Sequence, residues 1–247
     1  MLKKYFKQIF IMIFLIFSVV LTAEDNFMAV GNIKIVRPEP LLIKREDLNI
    51  TIEKDDTIKV ESMYTFSNLG EYNIKSTFMF WLDQTRENDN NNPNNSNKNN
   101  KGKYIKNIQF YSDYKKSQNL RAVIKFDENI YENQTVGNIQ REWFAISKTI
   151  PSKEEGRLGV YYDLQNTGFS KTKKFVYSFD LVSNFSEKNK VEILYVNVYN
   201  KSSRKIDSIV YKDYEFKNLT GKKSDKEHYE LLVANVNLDE KLVINFK

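Results

Sequence analysis

Alternation of apolar and polar residues with a period of two constrains this chain more than any other feature. In residues 39–80, EPLLIKREDLNITIEKDDTIKVESMYTFSNLGEYNIKSTFMF, the residues Leu48, Ile50 and Ile52 share one parity. After Lys54, Asp55 and Asp56 the same parity continues in Ile58, Val60, Tyr64 and Phe66. Beyond Asn68, Leu69, Gly70 and Glu71 it returns in Ile74, Ser76, Phe78, Phe80 and Leu82. Successive side chains of a strand point to opposite faces, so this period marks strands with one buried face. Connections this short cannot carry a parallel crossover. The stretch therefore predicts a three-strand antiparallel meander whose even-numbered apolar residues face a core.

The pattern recurs at 104–111, 120–126, 141–150, 157–164, 175–182, 191–199, 206–216, 228–236 and 241–246. Turn residues such as Asn166-Thr167-Gly168 and Leu219-Thr220-Gly221-Lys222 separate the runs. Roughly a dozen short strands without a 3.6-residue period predict an all-β fold, an antiparallel β-sandwich of two packed subdomains. The expected division is an N-terminal β-sandwich region at 24–165 and a C-terminal β region at 166–247, with the boundary near 166–174. Residues 88–100, NDNNNPNNSNKNN, have almost nothing apolar to bury. A disordered loop is expected there, because burial cannot offset the entropy of ordering it.

The first residues, MLKKYFKQIFIMIFLIFSVVLTAEDN, run from basic Lys3, Lys4 and Lys7 through an apolar stretch at 9–21 to the small residues Thr22 and Ala23. That order predicts a secretory signal peptide at 1–23, cleaved after Ala23. The thirteen residues of the apolar stretch would span only about 20 Å as a helix, against a hydrocarbon core of about 30 Å. No later segment reaches the ~18 apolar residues of a spanning helix. The expected location is therefore outside the cytoplasm: periplasm, cell surface or medium.

Cysteine is absent, which excludes disulfides, thiolate metal sites, a catalytic thiol and a lipid-modified cysteine. The net charge is +6, but the signal lysines supply three of the 38 basic residues, leaving 35 against 32 acids. Those charges are scattered through mixed stretches such as KKSDK at 222–226, the pattern of solvated loops and not of a nucleic-acid stripe. No nucleic-acid partner is expected.

Motifs for chemistry are equally sparse. His228 is the one histidine and has neither a nucleophile elbow nor a Ser-x-x-Lys element beside it, so it reads as a surface strand residue. The carboxylate pairs Asp55/Asp56, Asp127/Glu128, Glu154/Glu155 and Asp239/Glu240 sit in expected turns and not across a cleft. No spaced oxygen ligands mark a calcium loop, and Gly156-Arg157-Leu158-Gly159 stands at a strand start, the wrong place for a phosphate cradle. No catalytic residue, metal ligand or cofactor is expected.

Aromatic residues make up 14% of the chain, enough to supply a binding surface as well as a core. Trp81, Trp143 and the pair Tyr161-Tyr162 are the ligand-surface candidates, since neighbours on a strand face opposite ways and one of each pair can be exposed.

Arg45-Glu46-Asp47-Leu48-Asn49-Ile50, then Ile58-Lys59-Val60, Tyr64-Thr65-Phe66-Ser67-Asn68 and Phe78, resemble the start of the exported bacterial family known as domain of unknown function 4424. The likeness covers mainly residues 44–80. This chain has no proline in Phe78-Met79-Phe80-Trp81, where that family carries a Phe-Pro segment. The resemblance implies an exported β fold and transfers no catalytic residue. The expectation is thus an exported, non-enzymatic β-sandwich protein acting by surface interaction with an envelope protein or a glycan. Its rivals are a carbohydrate-binding or carbohydrate-active protein with an aromatic platform, and an outer-membrane β-barrel.

Overall fold

The computed structural model describes residues 29–31, 34–35, 39–85, 105–112, 115–117, 139–165, 173–179, 190–221 and 227–247. The expected signal peptide and the asparagine tract lie outside these residues. In chain order the strands are β1 Ala29–Gly31, β2 Lys34–Ile35, β3 Leu41–Ile52, β4 Ile58–Asn68 and β5 Ile74–Thr85. They continue with β6 Ile105–Ser112, β7 Lys115–Ser117, β8 Ile139–Ile150, β9 Glu155–Leu164 and β10 Lys174–Ser178. The last five are β11 Lys190–Asn200, β12 Ile206–Val210, β13 Lys217–Asn218, β14 Glu227–Asn237 and β15 Lys241–Phe246. No helix occurs among the described residues, and the fold is all-β.

The strands form two sheets. One has eight strands in the order β13-β14-β11-β3-β4-β9-β6-β7. The other runs β12-β15-β10-β1-β5-β2, with β8 paired along β5. Pairing is antiparallel except for β3 with β11 and β1 with β10. Between the sheets lies one core, in which Leu48, Ile50, Ile52, Val60, Phe66, Val196 and Val198 of the eight-stranded sheet share a cluster with Phe78, Phe175, Leu242 and Ile244 of the other. The Phe66 and Phe78 rings meet across the gap with centroids 4.8 Å apart.

The expected parity holds from Leu48 to Phe78: Leu48, Ile50, Ile52, Ile58, Val60, Tyr64, Phe66, Ile74, Ser76 and Phe78 are all buried, and the side chains of Phe80 and Leu82 lie outside what the structure describes. The expected meander does not hold. β4 pairs with β3 and β9, whereas β5 belongs to the other sheet, so residues 69–73 cross between layers. The reason is Asn68, buried at the end of β4. Its Nδ2 donates to the carbonyls of Tyr72, Ile150 and Pro151, and its Oδ1 accepts from Gly70 N. The β8–β9 connection makes the same crossing beside it: Ser152 N donates to Asn73 Oδ1, and Ser152 Oγ to the Gly70 carbonyl. The chain can turn away from the sheet because one amide satisfies carbonyls that a hairpin would have paired.

Of the expected subdomain boundary at 166–174, residues 166–172 lie outside the described residues and Lys174 begins β10, and both sheets run across it. Strand β3 pairs along β11 from Ile43–Val191 to Ile52–Asn200, and β1 pairs with β10. Neither stretch therefore buries a complete sheet face without the other.

Candidate functional site

Apart from Ile43 and Val191, which lie in the core, the odd-numbered side chains of β3, β4, β9 and β11 point away from it and form the outer face of the eight-stranded sheet. Register places Glu230, Asn197, Asn49, Glu61, Tyr161 and Gln109 in one row across β14, β11, β3, β4, β9 and β6. The next row holds Leu232, Tyr195, Asp47, Met63, Gly159 and Tyr111. These side chains lie across the sheet and cover one another. A side chain at Gly159 would bring a Cβ to 2.7 Å from Met63 Cε and 3.1 Å from Tyr111 Cβ, so glycine lets both lie over β9.

At the β11–β14 end, Tyr195 Oη donates to Glu230 Oε2 at 2.6 Å while the Arg45 guanidinium stands over its ring, 5.8 Å from the centroid. Arg45 is held in turn by a two-pronged pairing with Asp47, Nε and Nη2 both donating to the carboxylate. Asn197, almost fully buried, donates from Nδ2 to Asn49 Oδ1 at 3.1 Å, and its own Oδ1 lies 3.0 Å from His228 Nε2. The His228 and Tyr199 rings stack with centroids 4.3 Å apart. His228 is on a strand as expected, but half-buried within this cluster and not simply a surface residue. At the β9 end, Tyr161 Oη donates to Asp163 Oδ1 and Asn107 Nδ2 donates to Oδ2, each at 2.7 Å. Burial, followed by the Asp163 hydrogen bond, pushes the Tyr161 hydroxyl well above its ordinary pKa.

The four aromatic candidates do not share one face. Tyr161 is on the outer face; Tyr162, its neighbour on the strand, points inward and is 1% exposed. Tyr162 is therefore a core residue and leaves the ligand-surface set, a consequence of strand alternation. Trp81 and Trp143 are register partners across β5 and β8 in the other sheet, and their side chains lie outside what the structure describes.

An acid that the sequence reading passed over lies in the core. Glu46, with Cα partners Tyr64 and Leu194, is completely buried on the inner face of β3. Ser62 Oγ donates to its Oε1 at 3.0 Å, and the hydroxyls of Tyr64 and Tyr177 bond to each other and to Ser62. Burial first, and the nearby Glu46 carboxylate next, pushes the hydroxyls of Tyr64 and Tyr177 far up. Burial does the same to Tyr162. This is a polar knot between the sheets, closed to solvent. Its signal was present in the parity, since Glu46 has that of Leu48, Ile50 and Ile52.

The remaining candidates behave as turn chemistry. Asp55 Oδ1 accepts from Thr57 N in the β3–β4 turn, which holds its carboxyl below the usual range, and Asp56 takes the left-handed conformation at φ 63°. Asp239 and Glu240 are exposed between β14 and β15, Glu154 and Glu155 after β8; Asp127 and Glu128 lie outside the described residues. Among the described residues no three His, Cys, Asp or Glu side chains gather as a metal site would require. No helix among them is long and apolar enough to cross a membrane.

No protein-family model matches the chain, and no curated protein matches it. Among solved structures it is similar to a Legionella pneumophila protein whose name assigns it to nutrient binding, with a TM-score of 0.62 at 12% identity over 89% of this chain and 70% of that one. The M1 zinc metallopeptidase of Deinococcus radiodurans aligns at 11% identity and a TM-score of 0.42, over 84% of this chain and 42% of the enzyme. A Parabacteroides distasonis protein named as a protease aligns at 7% and 0.45, over 84% and 40%. The chain thus spans under half the length of the last two. The Legionella likeness shows a shared fold, and the fold is what it shows.

Proposed function

We propose that this chain is an exported, non-enzymatic β-sandwich protein of the cell envelope or its surroundings, working by surface interaction through the outer face of the eight-stranded sheet. The observation that carries this reading is the contrast between that face and the core. Six strands contribute a continuous surface of tyrosine, amide and carboxylate side chains, with Leu232 at 64% exposure beside Tyr195. Exposed aromatic and apolar groups set among polar ones suit recognition, and rigid strands hold them in fixed positions. The buried acid does not reach this surface. The signal-like first residues support export. The likeness to domain of unknown function 4424 belongs to the same reading, because Glu46, Tyr64, Phe66 and Asn68 of the shared motif are framework residues.

The test has two parts. Expressed in a bacterium, the chain should be recovered outside the cytoplasm beginning at Glu24. Purified, it should co-sediment with isolated cell envelopes, and Leu232→Asp combined with Tyr195→Phe should abolish that retention while the thermal midpoint falls by only ~2–4 °C, the cost of one part-exposed hydroxyl bond. Retention unaffected by the double change counts against the outer face. Material confined to the cytoplasm with residues 1–23 intact counts against export.

A further inference from the structure

The middle of the outer face differs from its two ends. At the β11–β14 end the polar groups are committed to one another: Tyr195 to Glu230, and Asn197 to Asn49 and His228. At the β9–β6 end Tyr161 and Asn107 occupy both oxygens of Asp163. Between them, Asn49 and Glu61 are direct register partners on β3 and β4. Asn49 Oδ1 accepts from Asn197, but among the described residues Asn49 Nδ2 donates to nothing and the Glu61 carboxylate accepts nothing. Directly opposed residues hold their Cβ atoms about 4.5–5.5 Å apart, so a two-proton donor and an anionic acceptor stand side by side on a flat surface.

Aromatic rings frame this pair. Tyr161 opposes Glu61 on β9, and Tyr195 and Tyr199 are the diagonal neighbours of Asn49 on β11, within about 7–8 Å and in reach of a bound molecule. Charges around the pair balance: Arg45, Lys59, Arg157 and Lys217 are set among Asp47, Glu61, Asp163 and Glu230. A neutral surface does not select a polyanion or a polycation. A hydroxyl both donates and accepts, so adjacent hydroxyls can give a proton to Glu61 and take one from Asn49. The weakly polar C–H side of a sugar ring packs on a tyrosine face.

We infer that the Asn49–Glu61 pair, with Tyr161, Tyr195 and Tyr199 around it, is a binding site for an uncharged, polyhydroxylated ligand, a neutral oligosaccharide. The site rests on the proposed role of the outer face and names its ligand class. Glu61 and Asn49 read the hydroxyl pair and Tyr161 beside Glu61 gives stacking area, while Tyr195 and Tyr199, whose rings already meet the Arg45 guanidinium and the His228 ring, bound the site along β11.

The experiment uses the purified chain against neutral malto-, cello- and chito-oligosaccharides, with an oligogalacturonate as the charged control, read by titration calorimetry. At least one neutral series should bind and the oligogalacturonate should not. Glu61→Gln should weaken binding about ten-fold with an unchanged thermal midpoint, and Asn49→Ala should weaken it as much while also lowering the midpoint, because it leaves the buried Asn197 amide without its acceptor. Binding that ignores both substitutions overturns the inference, as does preference for the charged control. If no neutral oligosaccharide binds while envelopes still retain the chain through Leu232 and Tyr195, the ligand assignment falls and the outer-face role stands.

Discussion

The two faces of the eight-stranded sheet are made by the same strands, alternating residue by residue, and differ in almost every physical respect. Inward, Leu48, Ile50, Val60, Phe66, Val196 and Val198 are fully buried, and the Glu46 carboxylate is held by Ser62 beside the hydroxyls of Tyr64 and, from the facing sheet, Tyr177. Outward, tyrosines, amides and carboxylates lie half-covered, and the centre of the face retains an uncommitted donor and acceptor. Folding thus draws on one face, and the other is left for recognition. A substitution should be felt in stability or in binding according to the parity of its position, and seldom in both.

The widest separation should appear at alkaline pH. In the folded chain burial holds the hydroxyls of Tyr64, Tyr162 and Tyr177 above the ordinary tyrosine value of 10.0. The folded state then keeps protons that the unfolded state releases, so their contribution to stability is full below that value and is lost as pH rises above it. Each can cost up to about 1.4 kcal/mol per pH unit in that window. Absorbance of tyrosinate at 295 nm should show a late, cooperative phase coincident with loss of β circular dichroism; smooth titration of every tyrosine in the folded state would erase the contrast.

Truncation on the inner face comes next. Phe66 stacks on Tyr64 and meets Phe78 across the layers, so Phe66→Ala should cost about 3–5 kcal/mol. For a chain of this size that lowers the thermal midpoint by roughly 6–20 °C. Asn68→Ala removes the donor that serves three carbonyls where both crossings turn, and about 2–3 kcal/mol should be lost. Calorimetric or denaturant unfolding measures both. On the outer face, Tyr195→Phe deletes one hydroxyl bond to Glu230 in a half-exposed setting and should cost about 1 kcal/mol or less. A loss as large as that of Phe66→Ala would mean that the outer face is structural.

How much of this was legible in the sequence follows from which interactions are local. Alternation is local, so the strands, the buried parity from Leu48 to Phe78 and the opposite facing of Tyr161 and Tyr162 could all be read. Even Glu46 was marked by its parity. The destination of β5 was not legible, because Asn68 is satisfied by carbonyls of Ile150 and Pro151, more than eighty residues away. Nor was the parallel pairing of β3 with β11, which joins strands on either side of an expected boundary. The outer-face cluster required β14, β11, β3, β4, β9 and β6 in order, so His228 beside Asn197 and Tyr199 looked solitary until register supplied its neighbours.

One measurement tests the central claim most directly: site-specific photo-cross-linking in cells, with the photoreactive residue at Leu232 or Tyr161 on the outer face, and at Ser208 or Asn245 on the seven-stranded sheet. The account predicts adducts from the first two positions and none from the second two. Adducts from Ser208 or Asn245, with none from Leu232 or Tyr161, would contradict it.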